Sequence, residues 1–232
     1  MNRPRRCFLG WGRALVATTP PLQPLQDALD TLRRALDYYV DSGDVEHAVA
    51  IAEYPYFPRF GHSYGGSQLV ARALALVPPD SHAAGRLLFR YGHILGTEEG
   101  DVSGAREAVE RALAIAQQER DPALEMRIMA DGARLDRIGL RIEESLTKSQ
   151  RAIELAVRLQ DLRTEVAARW EAAVAFQNIG DVEGNEKHAT LMLDAAERLR
   201  DRTWLTPALM TTRPDPEERV TGGRLGNIAN VA

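Results

Sequence analysis

The stretch GDVSGAREAVERALAIAQQERD, Gly100–Asp121, decides the fold, because versions of it return at Leu140–Asp161 and Gly180–Asp201. The copies start at positions 100, 140 and 180, so the step is identical both times and needs no gap. Superposed in sequence, they align Val102, Ile142 and Val182, then Leu113, Ile153 and Leu193, then Ala116, Ala156 and Ala196, then Asp121, Asp161 and Asp201. A fixed period of this size marks a repeat architecture.

Each copy reads as the second helix of a hairpin. Glycine followed by aspartate, at Gly43-Asp44, Gly100-Asp101 and Gly180-Asp181, stops one helix and starts the next with no spare residue. Glycine takes positive φ at the stop, and the aspartate carboxylate accepts from the first free N–H groups of the new helix. In the remaining copy Leu140-Arg141 stands in place of Gly-Asp, with Gly139 one position earlier, so the turn there is expected to shift by one residue. Ala105, Ala108, Ala112 and Ala116 form a small-residue face at spacings of three and four that lets a neighbouring helix come close. Asp121 then caps the following helix, with Pro122 at its first position.

Working outward, Leu25, Leu29, Leu32, Leu36 and Tyr39 keep helical spacing up to Gly43. The stretch EYPYFPRFGHSYGG cuts the second helix of this first unit short, and a further helix is expected near residues 67–77 before Pro78-Pro79-Asp80. Gly43 therefore precedes Gly100 by more than one step, and the excess is an insertion in the first unit. The expected organisation is an irregular lead-in over 1–23, a helical repeat domain over 24–205 with the insertion around 54–80, and a disordered tail over 206–232, where prolines and glycines lack periodicity. The fold class expected is all-α, a right-handed superhelix of about four antiparallel helical hairpins.

At 232 residues with 44% hydrophobic and only 6% aromatic content, the chain can bury a core built mainly from Ala, Leu, Val and Ile. A net charge of −4 provides no field for nucleic acid. The single cysteine, Cys7, excludes an internal disulfide framework and fits a reducing, cytoplasmic setting. Gly10, Gly12 and Arg13 interrupt what would be the apolar core of a signal peptide, and no run of 18 apolar residues exists to span a membrane.

With these residues in place, the chain resembles the tetratricopeptide repeat, a helix-turn-helix unit of about 34 residues. Counted from the turn, the aromatic four positions earlier is Tyr39 or Phe176, and the small residue eight positions earlier is Ala35, Gly92, Gly132 or Ala172. The alanine five positions later is Ala48 or Ala105, and the one twelve later is Ala112 or Ala152. The longer period, together with ALDYYVDSGDVEHAVAIAEYP and RALAIAQQERDPALEMR, resembles the superhelix of bacterial ATP-dependent regulators of the LuxR and maltose-activator type, and of some nucleotide cyclases. That resemblance implies a non-catalytic module that senses an inducer or binds a partner protein, with transcription regulation as its output. The sequence holds no G-x-x-x-x-G-K-[ST] loop, so the chain is expected to be a free-standing repeat protein or a fragment of a larger regulator.

Gly61-His62-Ser63-Tyr64-Gly65 fits the G-x-S-x-G elbow of serine hydrolases, with Asp131 and His188 in the right order for a triad. Pro55 and Pro58, just before it, argue against the strand that the elbow requires, which leaves a glycine-rich loop entering a helix. The histidines lack metal-ligand spacing, and no cofactor is expected. In tetratricopeptide arrays the groove is lined by the first helix of each unit. Here that places Arg127, Asp131 and Arg134 at spacings of four and three with Arg137 near the same side, and Arg90, Ala130 and Trp170 in one column. A guanidinium row beside an aromatic ring suits an acidic peptide or a small anionic inducer. The alternative is an ordinary charged face whose Arg127, Asp131 and Arg134 pair with one another.

Overall fold

A computed structural model describes residues 22–53 and 66–211. Ten α-helices follow one another among them: α1 Leu22–Asp41, α2 Val45–Glu53, α3 Gly66–Leu74, α4 His82–Ile94, α5 Val102–Gln118, α6 Pro122–Ile138, α7 Ile142–Leu159, α8 Leu162–Asn178, α9 Val182–Leu199 and α10 Arg202–Thr211. A π-helical turn, Leu95–Glu99, extends α4. No strand occurs among the described residues. Consecutive helices pack as antiparallel hairpins into a right-handed superhelix.

The hairpin turns are built as the sequence dictates. Gly43, Gly100 and Gly180 all have φ between +72° and +76°. Asp101 and Asp181 then accept from the amides of Gly104 and Gly184, each at 2.9 Å, and Asp44 accepts from the amide of His47. Leu140 does not follow the expectation drawn from Gly139. The turn stays in register: Leu140 itself adopts φ +59°, while Gly139 keeps φ −78°. The packing of α6 on α7 holds a leucine in the left-handed region, where its Cβ crowds the backbone.

Between hairpins the left-handed position falls on Arg120, Gln160 and Arg200, each followed by a capping aspartate. Those aspartates also tie neighbouring units together. His82 Nε2 lies 2.8 Å from Asp121, and Arg163 Nη2 lies 2.8 Å from Asp201.

Small residues set the distance between the two helices of a unit. Ala105, Ala108, Ala112 and Ala116 are all buried. Opposite them, a Cβ on Gly92 would lie 2.9 Å from the carbonyl oxygen of Ala105 and 2.8 Å from a Val109 methyl. Leu69 and Val70 of α3 join Leu36, Val49 of α2, Leu87 and Ile94 in one apolar cluster. At the other end α10 supplies Trp204 and Ala208 to a cluster with Val166, Met192 and Leu193. This last helix runs to Thr211, beyond the 205 boundary suggested by periodicity. Residues 1–21, 54–65 and 212–232, and with them most of the expected lead-in and tail, lie outside the described residues.

Two substitutions test this account. Leu140→Gly relieves the left-handed leucine and should raise the unfolding free energy by about 0.5–1 kcal/mol in urea titrations, because the strain removed exceeds the backbone entropy added. Gly92→Ala should lower it by about 1–3 kcal/mol, since a backbone carbonyl and not a flexible side chain stands in the way.

Candidate functional site

Helix α6 carries the charged residues singled out above. Its buried side contains Leu124, Ile128, Ala133 and Leu135, which anchor the helix, and the charges lie beside them. The pairing is not the local one. Asp131 turns to the preceding unit, where His93 Nδ1 on α4 lies 2.7 Å from its Oδ2. Arg137 reaches the following unit and donates from Nε to Glu171 Oε2 on α8 at 2.6 Å. Arg127 donates only to the carbonyl of Ala123 in its own helix, at 3.3 Å, and is exposed. Arg134 makes no hydrogen bond or ion pair among the described residues, yet it acts electrostatically on both Asp131 and Glu171.

Arg90 joins this group from α4, close enough to favour the ionised form of Asp131. Trp170 packs elsewhere: it rests against the Val166, Met192 and Trp204 cluster at the α8–α10 end. A further pair, Arg86 Nε with Glu53 Oε1 at 2.9 Å, extends the ribbon of charge toward α2, within electrostatic reach of Arg127. The result is one chain of charges across four helices, from Glu53 to Glu171.

Two carboxylates in this ribbon respond to their settings in opposite ways. Burial pushes the Asp131 carboxyl up, but His93, Arg134 and Arg90 together outweigh it and hold the group below the usual range. Burial raises Glu171 more strongly than Arg137 and Arg134 lower it, with Asp131 adding to the rise, so its carboxyl stays above the usual range.

His93 and Glu171 were not among the residues read from the sequence. Glu171 had a signal, since it stands one repeat period after Asp131 in the same column. His93 had none, its column continuing as Ala133 and Ala173. A buried ion triad was also missed. Asp136, 1% exposed, accepts from Arg141 Nη2 at 2.8 Å and Lys148 Nζ at 2.5 Å. Arg141, which takes the place of a capping aspartate, thus turns inward instead of capping α7. The equivalent contact in the next unit is Phe176 stacked on His188, ring centroids 5.4 Å apart. Burial, with Arg169 and Lys187 nearby, lowers the pKa of His188 and favours its neutral form.

The G-x-S-x-G at 61–65 lies outside the described residues. Its suggested partners are engaged in other contacts, Asp131 with His93 and His188 with Phe176. No group of three His, Cys, Asp or Glu residues able to hold a metal ion occurs among the described residues, and no described helix is long and apolar enough to cross a membrane.

No protein-family model and no curated protein matches the sequence. Solved structures do match the fold. A Podosopora anserina protein, described as a putative kinesin light chain with nearly identical TPR-like repeats, is 14% identical with a TM-score of 0.52, over 88% of this chain and 94% of its own. A point variant of that protein is 13% identical with a TM-score of 0.53 over the same shares. At that identity the likeness establishes a tetratricopeptide-like solenoid and nothing about a ligand.

The opposed carboxylates make a test by pH. Asp131, with its folded pKa depressed, contributes stability that is present above the unfolded value and lost as pH falls through the folded one. Asp131→Asn should therefore cost about 1–3 kcal/mol at pH 7, and the gap should close below about pH 4. For Glu171, raised in the folded state, the sign reverses, so Glu171→Gln should gain on the parent as pH rises from about 4 to 7. Urea titrations across that range check both slopes.

Proposed function

We propose that this chain is a non-catalytic helical-repeat scaffold that binds an acidic protein segment, or a small anionic inducer, on the side formed by α4, α6 and α8. Long curved surfaces of this kind are how solenoids bind, each unit contributing one helix to a shared face. The observation that carries the reading is the surplus of guanidinium groups there. Asp131 and Glu171 are already engaged by His93 and Arg137. Arg134 stands near both without bonding to either, and Arg127 is held only by a backbone carbonyl.

A carboxylate brought to Arg134 and Arg127 would supply the missing partners, and planar guanidinium groups bind carboxylates in a two-pronged geometry. Arg90 and Arg137 would hold the local potential positive, and Trp170 would offer an aromatic surface further along the array. The resemblance to the superhelix of bacterial signal-responsive regulators supports a sensing role in transcription control, with this segment as the receiver, in the cytoplasm.

The test is fluorescence anisotropy with a dye-labelled octaglutamate peptide at low salt. The parent should bind, and Arg127→Glu with Arg134→Glu should weaken binding about tenfold or more, about 1.4 kcal/mol, at unchanged helicity. Equal binding by parent and variant, or none by the parent, overturns the anion-binding reading.

A further inference from the structure

Glu171 stands where an incoming anion would have to stand. Its side chain is 7% exposed and accepts from Arg137 Nε at 2.6 Å, while Arg134 acts on it from the same helix. The carboxylate thus holds, on the α4–α6–α8 face, a guanidinium that would otherwise be open to a ligand. The helices packed on α8 bring Glu171 few other charges. From α6 it meets Arg137, Arg134 and the like charge of Asp131. Helix α7 packs Ala152 and Ile153 on Ala168, α9 packs Met192 and Leu193 beside Val166, and α10 adds Trp204 and Ala208. The titratable group that α9 turns to α8 is His188, on Phe176, and Glu165 and Arg169 of α8 itself pair with each other at 2.8 Å.

We propose that binding of an anionic partner on this face is coupled to uptake of a proton by Glu171, which releases Arg137 to the partner. The inference rests on the anion-binding reading above and adds its control. The proton comes from solvent and settles on the carboxylate, so the Arg137–Glu171 ion pair becomes a neutral acid beside an unpaired guanidinium. Two effects drive the exchange. An anion on Arg134 takes up the attraction that Arg134 exerts on Glu171, and its own charge repels the buried carboxylate in a setting where water screens poorly. Glu171 is already inclined that way, because burial raises its carboxyl more than the two arginines lower it. Asp131, in the same column, is not: His93, Arg134 and Arg90 hold it ionised. Since the bound state then carries more protons than the free one, affinity rises as pH falls. The face takes its partner in acid and lets it go as the pH climbs.

The test is fluorescence anisotropy with a rhodamine-labelled octamer of cysteic acid, whose sulfonates stay ionised throughout, so that only the protein's protons are read. The parent should bind about threefold tighter or more at about pH 5.5 than at about pH 7.5. Glu171→Gln, a fixed likeness of the protonated acid, should bind about threefold tighter or more than the parent at about pH 7.5 and match it at about pH 5.5. Adding Arg137→Gln should abolish that gain. Glu183→Gln removes the same charge at the hairpin edge and should leave the parent's affinity unchanged. Helicity is followed alongside for every variant. Binding without a gain in Glu171→Gln overturns the proposal and leaves the anion-binding reading standing. A pH dependence that persists in Glu171→Gln also overturns it, because His82 or His93 would then be the proton acceptor. A gain equalled by Glu183→Gln, or kept when Arg137 is replaced, overturns it as a general charge effect. Absence of binding by parent and variants at every pH overturns both readings.

Discussion

Two helices can approach as closely as α4 and α5 only where one of them brings no side chain to the contact. Gly92 meets that condition against the backbone of Ala105, and the alanines along α5 extend it toward the far end of the helix. Everything else in the array follows from this tight pairing. It sets the span that each turn must bridge, and a span with no spare residue forces one position into left-handed backbone. The next residue is then free to cap, and the repeat period is the sum of these requirements.

The fold was legible in the sequence because these requirements are local. Glycine at a stop, aspartate at a start and alanine at a contact are each explained within a few residues, and a fixed step multiplies the signal. Leu140 shows the limit of that logic. Gly139 looked like the natural left-handed residue, but the packing of whole helices on either side sets the register, and the chain tolerates a strained leucine to keep it. The candidate site was legible only as composition. Arg127, Asp131 and Arg134 could be placed on one helix, but Asp131 and its neighbour Arg137 find their partners in the units before and after it. Pairings across units leave no trace in spacing unless both columns repeat. Asp131 and Glu171 share a column, whereas His93 shares its own only with alanines.

Charge also enters the interior between α6 and α7, and there it replaces another device. Where the other hairpins use a capping aspartate, the third uses Arg141 to neutralise Asp136, with Lys148 completing the triad. Removing a buried charge from water is costly unless its partners are well placed, and removing one partner would strand the rest. The same contact in the fourth unit is made by a stacked Phe176 and His188, so two unlike chemistries satisfy one geometric slot.

The units are therefore not interchangeable parts. Gly96 leaves a gap at the end of the second unit that Leu135, from the third, fills with its side chain. The fourth unit has Ala175 at the position of Leu135. Gene rearrangement that excised the third unit would set Ala175 against Gly96 and leave a void of the kind that costs about 2–5 kcal/mol. Repeat arrays commonly grow and shrink by copying whole units; this one has acquired a grammar in which the order of its units carries meaning.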